Sequence, residues 1–318
     1  LCGQFNILLL KTISMSKKAF LFPGQGSQYI GMAKDLFEKS VEAKEMIKTA
    51  DDALGVNLSY IMFNGPEEQL KQTEYTQPAI FLHSVILASL IRTIQPEASA
   101  GHSLGEYSAL VSANAIQFYD AIKLVRARGR AMQQAGIDNP GTLAAIVGLD
   151  PQKVIEICKE ASAVGIVQCA NFNSPGQIVI SGSIDGVRKA MELCKANGAK
   201  LVKELVVSGA FHSPLMQSAK DTLLDVLVFT PFYDARFPVY ANVSAKPVTN
   251  KDEIKNLLYE QVTSPVRWEE TITNMIADGF DEFYEIGPGK VLQGLVKRIN
   301  PDVKLFGIDK YEDLEQYL

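Results

Sequence analysis

The sequence predicts an α/β protein: a large α/β-hydrolase-like domain with a parallel-sheet core and an inserted ferredoxin-like small domain. Three observations point there. Gly101-His102-Ser103-Leu104-Gly105 has the G-x-S-x-G form of a nucleophile elbow, in which a strand enters, the chain reverses at the serine and a helix leaves. Between residues 139 and 207 the elements run β-α-β-β-α-β, the ferredoxin-like order. Beyond that stretch the chain resumes an alternation of strands and helices.

Taken in order, the first convincing strand is Ala19 to Phe22, followed by a glycine-rich turn, Pro23-Gly24-Gln25-Gly26-Ser27-Gln28. A phosphate-binding loop would need a G-K-[ST] ending or G-x-G-x-x-G spacing, and this turn has neither. Helical segments are expected through the low fifties and from Pro78 to Ile94. A short strand, Glu97 to Ala100, leads into the elbow, and helices follow at Leu104 to Ala113 and Phe118 to Gln134. Asn139-Pro140-Gly141 breaks the pattern and marks a domain edge. The inserted unit then reads as strand Leu143 to Gly148, helix Pro151 to Ala163, strands Ile166 to Phe172 and Gln177 to Ser181, helix Asp185 to Asn197, and strand Lys200 to Val207. Asn173-Ser174-Pro175-Gly176 makes its hairpin. The last third supplies a strand at Pro238 to Asn242, helices at Lys251 to Tyr259 and Trp268 to Asp278, a strand at Glu282 to Ile286, and a final helix, Val291 to Arg298, after Gly287-Pro288-Gly289. The expected division is a large catalytic domain of residues 15–138 and 208–318 and a small domain of residues 139–207. Residues 1–14 read as an upstream extension, because Met15-Ser16-Lys17-Lys18 immediately precedes the first strand.

Length and composition bound the function. The chain has 318 residues, is 47% hydrophobic and carries a net charge of -5, which suits a soluble globular protein and argues against a general nucleic-acid binder. Leu1 to Leu10 is apolar but too short to span a membrane. The four cysteines lack metal-ligand spacing and are too few for a disulfide scaffold, so a cytoplasmic location is expected. A monomer is expected, with no metal or redox cofactor.

A serine hydroxyl needs a base within hydrogen-bond reach, and there are three histidines. His83 sits in an apolar helix and reads as a hydrogen-bonded core residue. His102 adjoins Ser103, but neighbours across a sharp turn point apart. His212, in the loop Ser208-Gly209-Ala210-Phe211-His212-Ser213-Pro214, is the candidate base. No acid between Ser103 and His212 carries a recognisable loop signature, so the acceptor that orients the imidazole stays open, a backbone carbonyl included. The amide of Leu104, at the helix N-terminus, is a candidate oxyanion donor.

Four motifs together resemble the malonyl-CoA:acyl carrier protein transacylases: Phe22-Pro23-Gly24-Gln25-Gly26-Ser27-Gln28, the elbow running to Leu110, Asn171-Phe172-Asn173-Ser174-Pro175-Gly176-Gln177, and Glu285-Ile286-Gly287-Pro288-Gly289-Lys290-Val291-Leu292. The resemblance covers almost everything after Met15. It implies transfer of a malonyl group from malonyl-CoA to the phosphopantetheine thiol of acyl carrier protein, with Ser103 as nucleophile and His212 as base. It further implies an oxyanion hole from the amides of Gln25 and Leu104, a main-chain carbonyl of Gln261 orienting the histidine, and Arg128 gripping the malonyl carboxylate. Residues two apart on a helix project about 200° apart, so Arg126 is expected to face solvent. Phe211 resembles the aromatic of malonyl-selective domains that disfavours a branched acyl group. Lys290, Lys297, Arg298, Lys200 and Lys203 are candidate contacts for an acidic carrier protein. A serine esterase or thioesterase, a malonyl transferase serving polyketide synthesis and a silent scaffold are the competing readings.

Overall fold

The computed structural model describes residues 16–205 and 207–318. The expected extension at 1–14 lies outside the described residues, as does Val206 near the expected end of the strand Lys200 to Val207. In chain order the first part comprises β1 (Lys17–Phe22), α1 (Lys34–Lys39), α2 (Val41–Leu54), α3 (Leu58–Asn64), α4 (Glu67–Leu70), α5 (Thr73–Leu90), β2 (Ala98–Gly101), α6 (Gly105–Ser112) and α7 (Phe118–Asp138). The middle comprises β3 (Gly141–Val147), α8 (Pro151–Ala161), β4 (Val167–Ser174), β5 (Gln177–Ser183), α9 (Ile184–Ala196) and β6 (Leu201–Leu205). The rest comprises α10 (Gln217–Phe229), β7 (Val239–Tyr240), β8 (Pro247–Val248), α11 (Lys251–Gln261), α12 (Trp268–Ala277), β9 (Phe280–Ile286), α13 (Val291–Ile299), β10 (Lys304–Ile308) and α14 (Tyr311–Leu314).

Six strands form one sheet in the order β10-β9-β1-β2-β7-β8. All its pairings are parallel except β7 with β8. Along β1, Phe20 and Phe22 enter one apolar core while Ala19 and Leu21 enter the other. A strand buried on both faces is what a parallel sheet between helical layers requires. From β1 the sheet extends to one side through β2 and to the other through β9. The helices that follow β1 and β2 pack into one core, with Leu36, Ile47, Tyr107 and Leu110, whereas α13 after β9 packs into the other with Leu292 and Leu295, so the connections diverge at a crevice beyond the carboxyl ends of β1 and β9, beside that of β2, the usual ligand position in open α/β sheets. Phe22 and Gly101 are register partners at those ends.

The second sheet is antiparallel, in the order β4-β5-β3-β6. Numbered within the unit this is 2-3-1-4, the ferredoxin-like arrangement. Val154 and Ile157 of α8 and Val187 and Ala190 of α9 pack on Ala144, Ile146, Ile178 and Ile180. Asp150 and Ser183 cap the two helices with side-chain oxygens, which explains their sharp starts. Main-chain bonds from Phe172 to Val266 and from Val266 to Ala170 tie β4 to the loop preceding α12. No helix among the described residues is long and apolar enough to cross a membrane.

Some expectations need correction. The helix expected to start at Pro78 begins at Thr73 and carries Pro78 inside. It is buried on nearly all sides, so tertiary packing outweighs the local breaker. The strand expected over Pro238 to Asn242 contains Val239 and Tyr240 alone, because Ala241 bonds Lys246 and Ala245 in the turn toward β8 and the Asn242 side chain bonds the elbow. Helix α10 and edge strand β10 were not anticipated. Arg126 does not face solvent: its side chain is 12% exposed, pairs with Glu74 at 3.0 Å and lies over the Tyr75 ring. The start of α5 covers that flank of α7, which helical periodicity alone could not reveal.

Candidate active site

The elbow joins β2 to α6, and Ser103 is held at φ 52°, in the left-handed region that a β-substituted residue enters only when surroundings enforce it. Its flanking glycines are required by close approach. A Cβ on Gly101 would lie 1.9 Å from the carbonyl carbon of Gly105, and one on Gly105 would lie 2.0 Å from the Phe22 oxygen. The turn therefore presses on itself and on the end of β1, which projects the serine into the crevice. Asn242 pins it from below: its Oδ1 accepts from the Ser103 N–H at 2.6 Å, and its amide donates to the Gly101 carbonyl at 2.6 Å.

Ser103 Oγ lies 2.8 Å from His212 Nε2. On the far side of the ring, Nδ1 is 3.0 Å from the carbonyls of both Gln261 and Ser264. Carbonyls only accept, so Nδ1 carries the proton of the neutral imidazole and Nε2 is left to accept from the serine hydroxyl. Burial foremost, then the adjacent Arg128 charge, lowers the His212 pKa to about 3. The imidazole is thus neutral near pH 7. His212 itself sits at φ 57°, and Gln168 from β4 donates to its carbonyl at 2.8 Å and to that of Thr263 at 3.1 Å. That amide couples the loop bearing the histidine to the loop bearing its acceptors.

Arg128 projects from α7 and is 1% exposed. Its Nη1 donates to Gln77 Oε1 at 2.7 Å, and its Nη2 donates to Gln261 Oε1 at 3.0 Å and to Ser103 Oγ at 3.1 Å. Nε has no partner among the described residues. Burial lowers the pKa of Arg128, opposed by Tyr107 and Glu106. Three neutral acceptors hold this cation, and no carboxylate forms an ion pair with it among the described residues.

Gln261 joins the two groups. Its main chain receives His212 while its side-chain amide donates from Nε2 to the Ser103 carbonyl at 3.1 Å and to Glu106 Oε2 at 2.8 Å. Glu106 Oε2 also accepts from the Asn242 N–H at 2.9 Å. Sequence reading missed Gln77, Glu106, Gln168 and Asn242. For Glu106 alone a signal existed, a carboxylate in the first turn after the elbow, but nothing there announced its burial.

A cavity of about 720 Å³ opens over these groups. Its walls include Gln25 in the glycine-rich turn, Ser103, Leu104, Arg128, Phe211, His212, residues of the antiparallel sheet such as Asn173, and Val291, Leu292 and Leu295 of α13. Gln25 Nε2 leans on Thr73 Oγ1 at 3.4 Å. Phe211, 7% exposed, is both a cavity wall and part of the core. Of the other histidines, His83 is fully buried with Nε2 2.6 Å from the Asp309 carbonyl, and His102 faces Asn173 Oδ1 at 2.9 Å. Ser103, His212, Arg128 and Gln261 thus form one hydrogen-bonded group, with Gln25 and Leu104 on the same cavity.

Residues 19–304 match the family described as acyl transferase domain, and the chain is an acyltransferase. A malonyl CoA-acyl carrier protein transacylase from Bacillus subtilis (strain 168) is 48% identical over 304 residues, covering 95% of this chain and 96% of that one. The enzyme of that name from Staphylococcus aureus (strain COL) is 45% identical over 302 residues, covering 95% and 98%. Among solved structures, the malonyl CoA-acyl carrier protein transacylase from Coxiella burnetii superposes with a TM-score of 0.91 at 38% identity, over 95% of this chain and 96% of that one. A malonyl-transacylase in complex with its type II PKS acyl-carrier protein superposes with a TM-score of 0.92 at 41% identity, over 95% and 99%. The chain belongs to the malonyl CoA-acyl carrier protein transacylase family.

Proposed function

We propose that the protein transfers a malonyl group from malonyl-CoA to the phosphopantetheine thiol of acyl carrier protein, through an ester on Ser103, to supply fatty-acid synthesis. The observation that carries this reading is the convergence of His212 Nε2 and Arg128 Nη2 on one hydroxyl, at 2.8 and 3.1 Å. A base alone would serve any acyl group. A buried guanidinium beside the nucleophile favours an acyl group that ends in a carboxylate close to its carbonyl.

In the first half-reaction Ser103 Oγ attacks the thioester carbonyl while His212 Nε2 takes its proton. The main-chain N–H groups of Gln25 and Leu104 hold the oxyanion. As the C–S bond breaks, the imidazolium returns the proton to the CoA thiolate. In the second half-reaction the pantetheine thiol gives its proton to His212 and attacks the ester, and Ser103 recovers a proton on leaving. The thioester is itself the acyl source, so the chemistry calls on no metal or redox cofactor. The main-chain acceptors on Nδ1 do the orienting work that an acid does in a hydrolase triad.

The remaining assignments are a cytoplasmic monomer, with residues 15–138 and 208–318 as the catalytic domain and 139–207 as the small domain. Carrier-protein docking falls to Lys290, Lys297, Arg298, Lys200 and Lys203. All five are exposed, and α13, which bears two of them, also lines the cavity. Intact mass after incubation with malonyl-CoA tests the reading. A malonyl adduct that is absent in Ser103→Ala and discharged by carrier protein is expected; rapid discharge to water without carrier protein would make the protein a thioesterase, and no adduct at all would overturn the assignment.

A further inference from the structure

Glu106 has no part in the chemistry described above, yet it is a carboxylate buried to 3% exposure within the same hydrogen-bonded group. Two donors meet its Oε2: the N–H of Asn242 at 2.9 Å and the Nε2 of Gln261 at 2.8 Å. The other end of the Gln261 amide accepts from Arg128 at 3.0 Å. Carboxylate, amide and guanidinium therefore stand in line, and the amide dipole passes negative potential from Glu106 to the cation. This accounts for a guanidinium that is buried without an ion pair of its own: the charge that balances it is one residue removed.

We propose that Glu106 is the resident counter-charge of Arg128 and that it takes up a proton from solvent when the acyl carboxylate settles on the guanidinium. The inference rests on the malonyl-transfer reading. With the site empty, one carboxylate and one guanidinium sum to zero. The malonyl group adds a second carboxylate to a buried site that holds one cation, and like charges so placed do not both remain ionised at neutral pH. Glu106 gives way because the incoming carboxylate contacts the guanidinium directly, whereas Glu106 reaches it only through Gln261. Arg128 on α7 and Tyr107 on α6 are the charged and titratable groups that act on Glu106 or respond to it. Burial is the main influence and lifts its pKa to about 7, with the donors from Asn242 and Gln261 and the Arg128 charge pulling the other way. The carboxyl is thus poised to change state within the working range.

Acylation itself is proton-neutral: Ser103 loses the hydrogen that CoA gains. Net uptake therefore reports on the site alone. Mixing stoichiometric protein and malonyl-CoA in weakly buffered solution with an indicator dye at pH 7.5, with adduct counted by mass, should show uptake of about three-quarters of a proton per malonyl ester, the share of Glu106 that is ionised there with a pKa of about 7. In Glu106→Gln, whose amide oxygen can still receive both donors, uptake per ester should vanish. In the wild type, uptake should fade toward pH 5.5, where Glu106 is already protonated. Adduct without uptake, or uptake unchanged in Glu106→Gln or constant across that range, overturns the proposal while leaving malonyl transfer standing. Failure to form adduct overturns the transfer reading instead. If Glu106→Gln does not fold, the wild-type pH series decides alone.

Discussion

The guanidinium of Arg128 touches the hydroxyl of Ser103, Nη2 to Oγ at 3.1 Å. A cation this near the nucleophile reads the acyl group at short range. It suits a carboxylate one methylene from the reacting carbonyl, and longer dicarboxylic chains would have to fold back. Arg128→Gln should lower kcat/KM for malonyl-CoA by about 30-fold to several thousand-fold, the scale of losing one partner of a buried charge pair, about 2 to 5 kcal/mol. Acylation by acetyl-CoA, lacking the carboxylate, should fall far less. Single-turnover acylation with both donors checks this, and equal losses would mean that Arg128 acts on Ser103 alone.

Gln261 serves His212 with its main chain and Arg128 with its side chain, so the two roles can be separated by truncation. Gln261→Ala keeps the carbonyl on Nδ1, and the Ser264 carbonyl remains as second acceptor. The base should survive while Arg128 loses one of its three acceptors. A malonyl-CoA KM raised about tenfold, with acetyl acylation within about threefold of wild type, is expected from the loss of a charged hydrogen bond of about 1.5 kcal/mol. Parallel collapse of both substrates would show that the side chain supports the histidine loop instead.

What the sequence made legible follows the range of the interactions. Gly101 and Gly105 could be read because the need for them arises within five residues, where one backbone folds onto itself. The β-α-β-β-α-β order of the small unit was legible because its helices are amphipathic and capped by Asp150 and Ser183 at their first turns. Arg128 and Gln261 came from resemblance, and their geometry could not have been read from spacing, since they meet across 133 positions. Glu106 and Asn242, 136 positions apart, left even less trace, because a carboxylate after an elbow reads as a solvated helix start. Arg126 was misread for the same reason. Its surroundings are set by α5, and only packing shows that Glu74 and Tyr75 cover it.

The His212 imidazole should titrate far below an ordinary histidine. Burial removes the solvent that would stabilise its charged form, and the Arg128 cation adds repulsion, so its pKa is lowered to about 3. The neutral form, which acts as base, therefore persists as pH falls through 6, and the rate of acylation should lack the acid limb near 6.5 that an exposed histidine gives. Ring chemical shifts of labelled histidine should show His212 unchanged between pH 8 and 5. In Arg128→Gln the midpoint should move upward, since the second-largest lowering influence is gone, yet stay below the usual value because burial, the largest, remains. A wild-type midpoint near 6.5 would contradict the buried, main-chain-bound imidazole.

Carrier-protein docking should separate from chemistry. Lys290 immediately precedes α13, whose Val291, Leu292 and Leu295 line the cavity, and Arg298 near the helix end donates from Nη1 to Oε1 of Gln177 in β5, another cavity-lining residue, at 2.6 Å, so the basic side chains of α13 lie close to the cavity wall. An acidic partner approaching there is steered by charge, and exposed charges of this kind act mainly on association and are screened by salt. Lys290→Glu with Lys297→Glu should raise the KM for carrier protein about tenfold at low ionic strength, with the effect shrinking as salt increases. The malonyl-CoA half-reaction, followed as adduct formation without carrier protein, should keep its rate within about twofold, because neither lysine touches Ser103, His212 or Arg128. An unchanged KM would move the docking surface elsewhere on the molecule, and an equal loss in both half-reactions would mean that α13 shapes the cavity rather than greeting the partner.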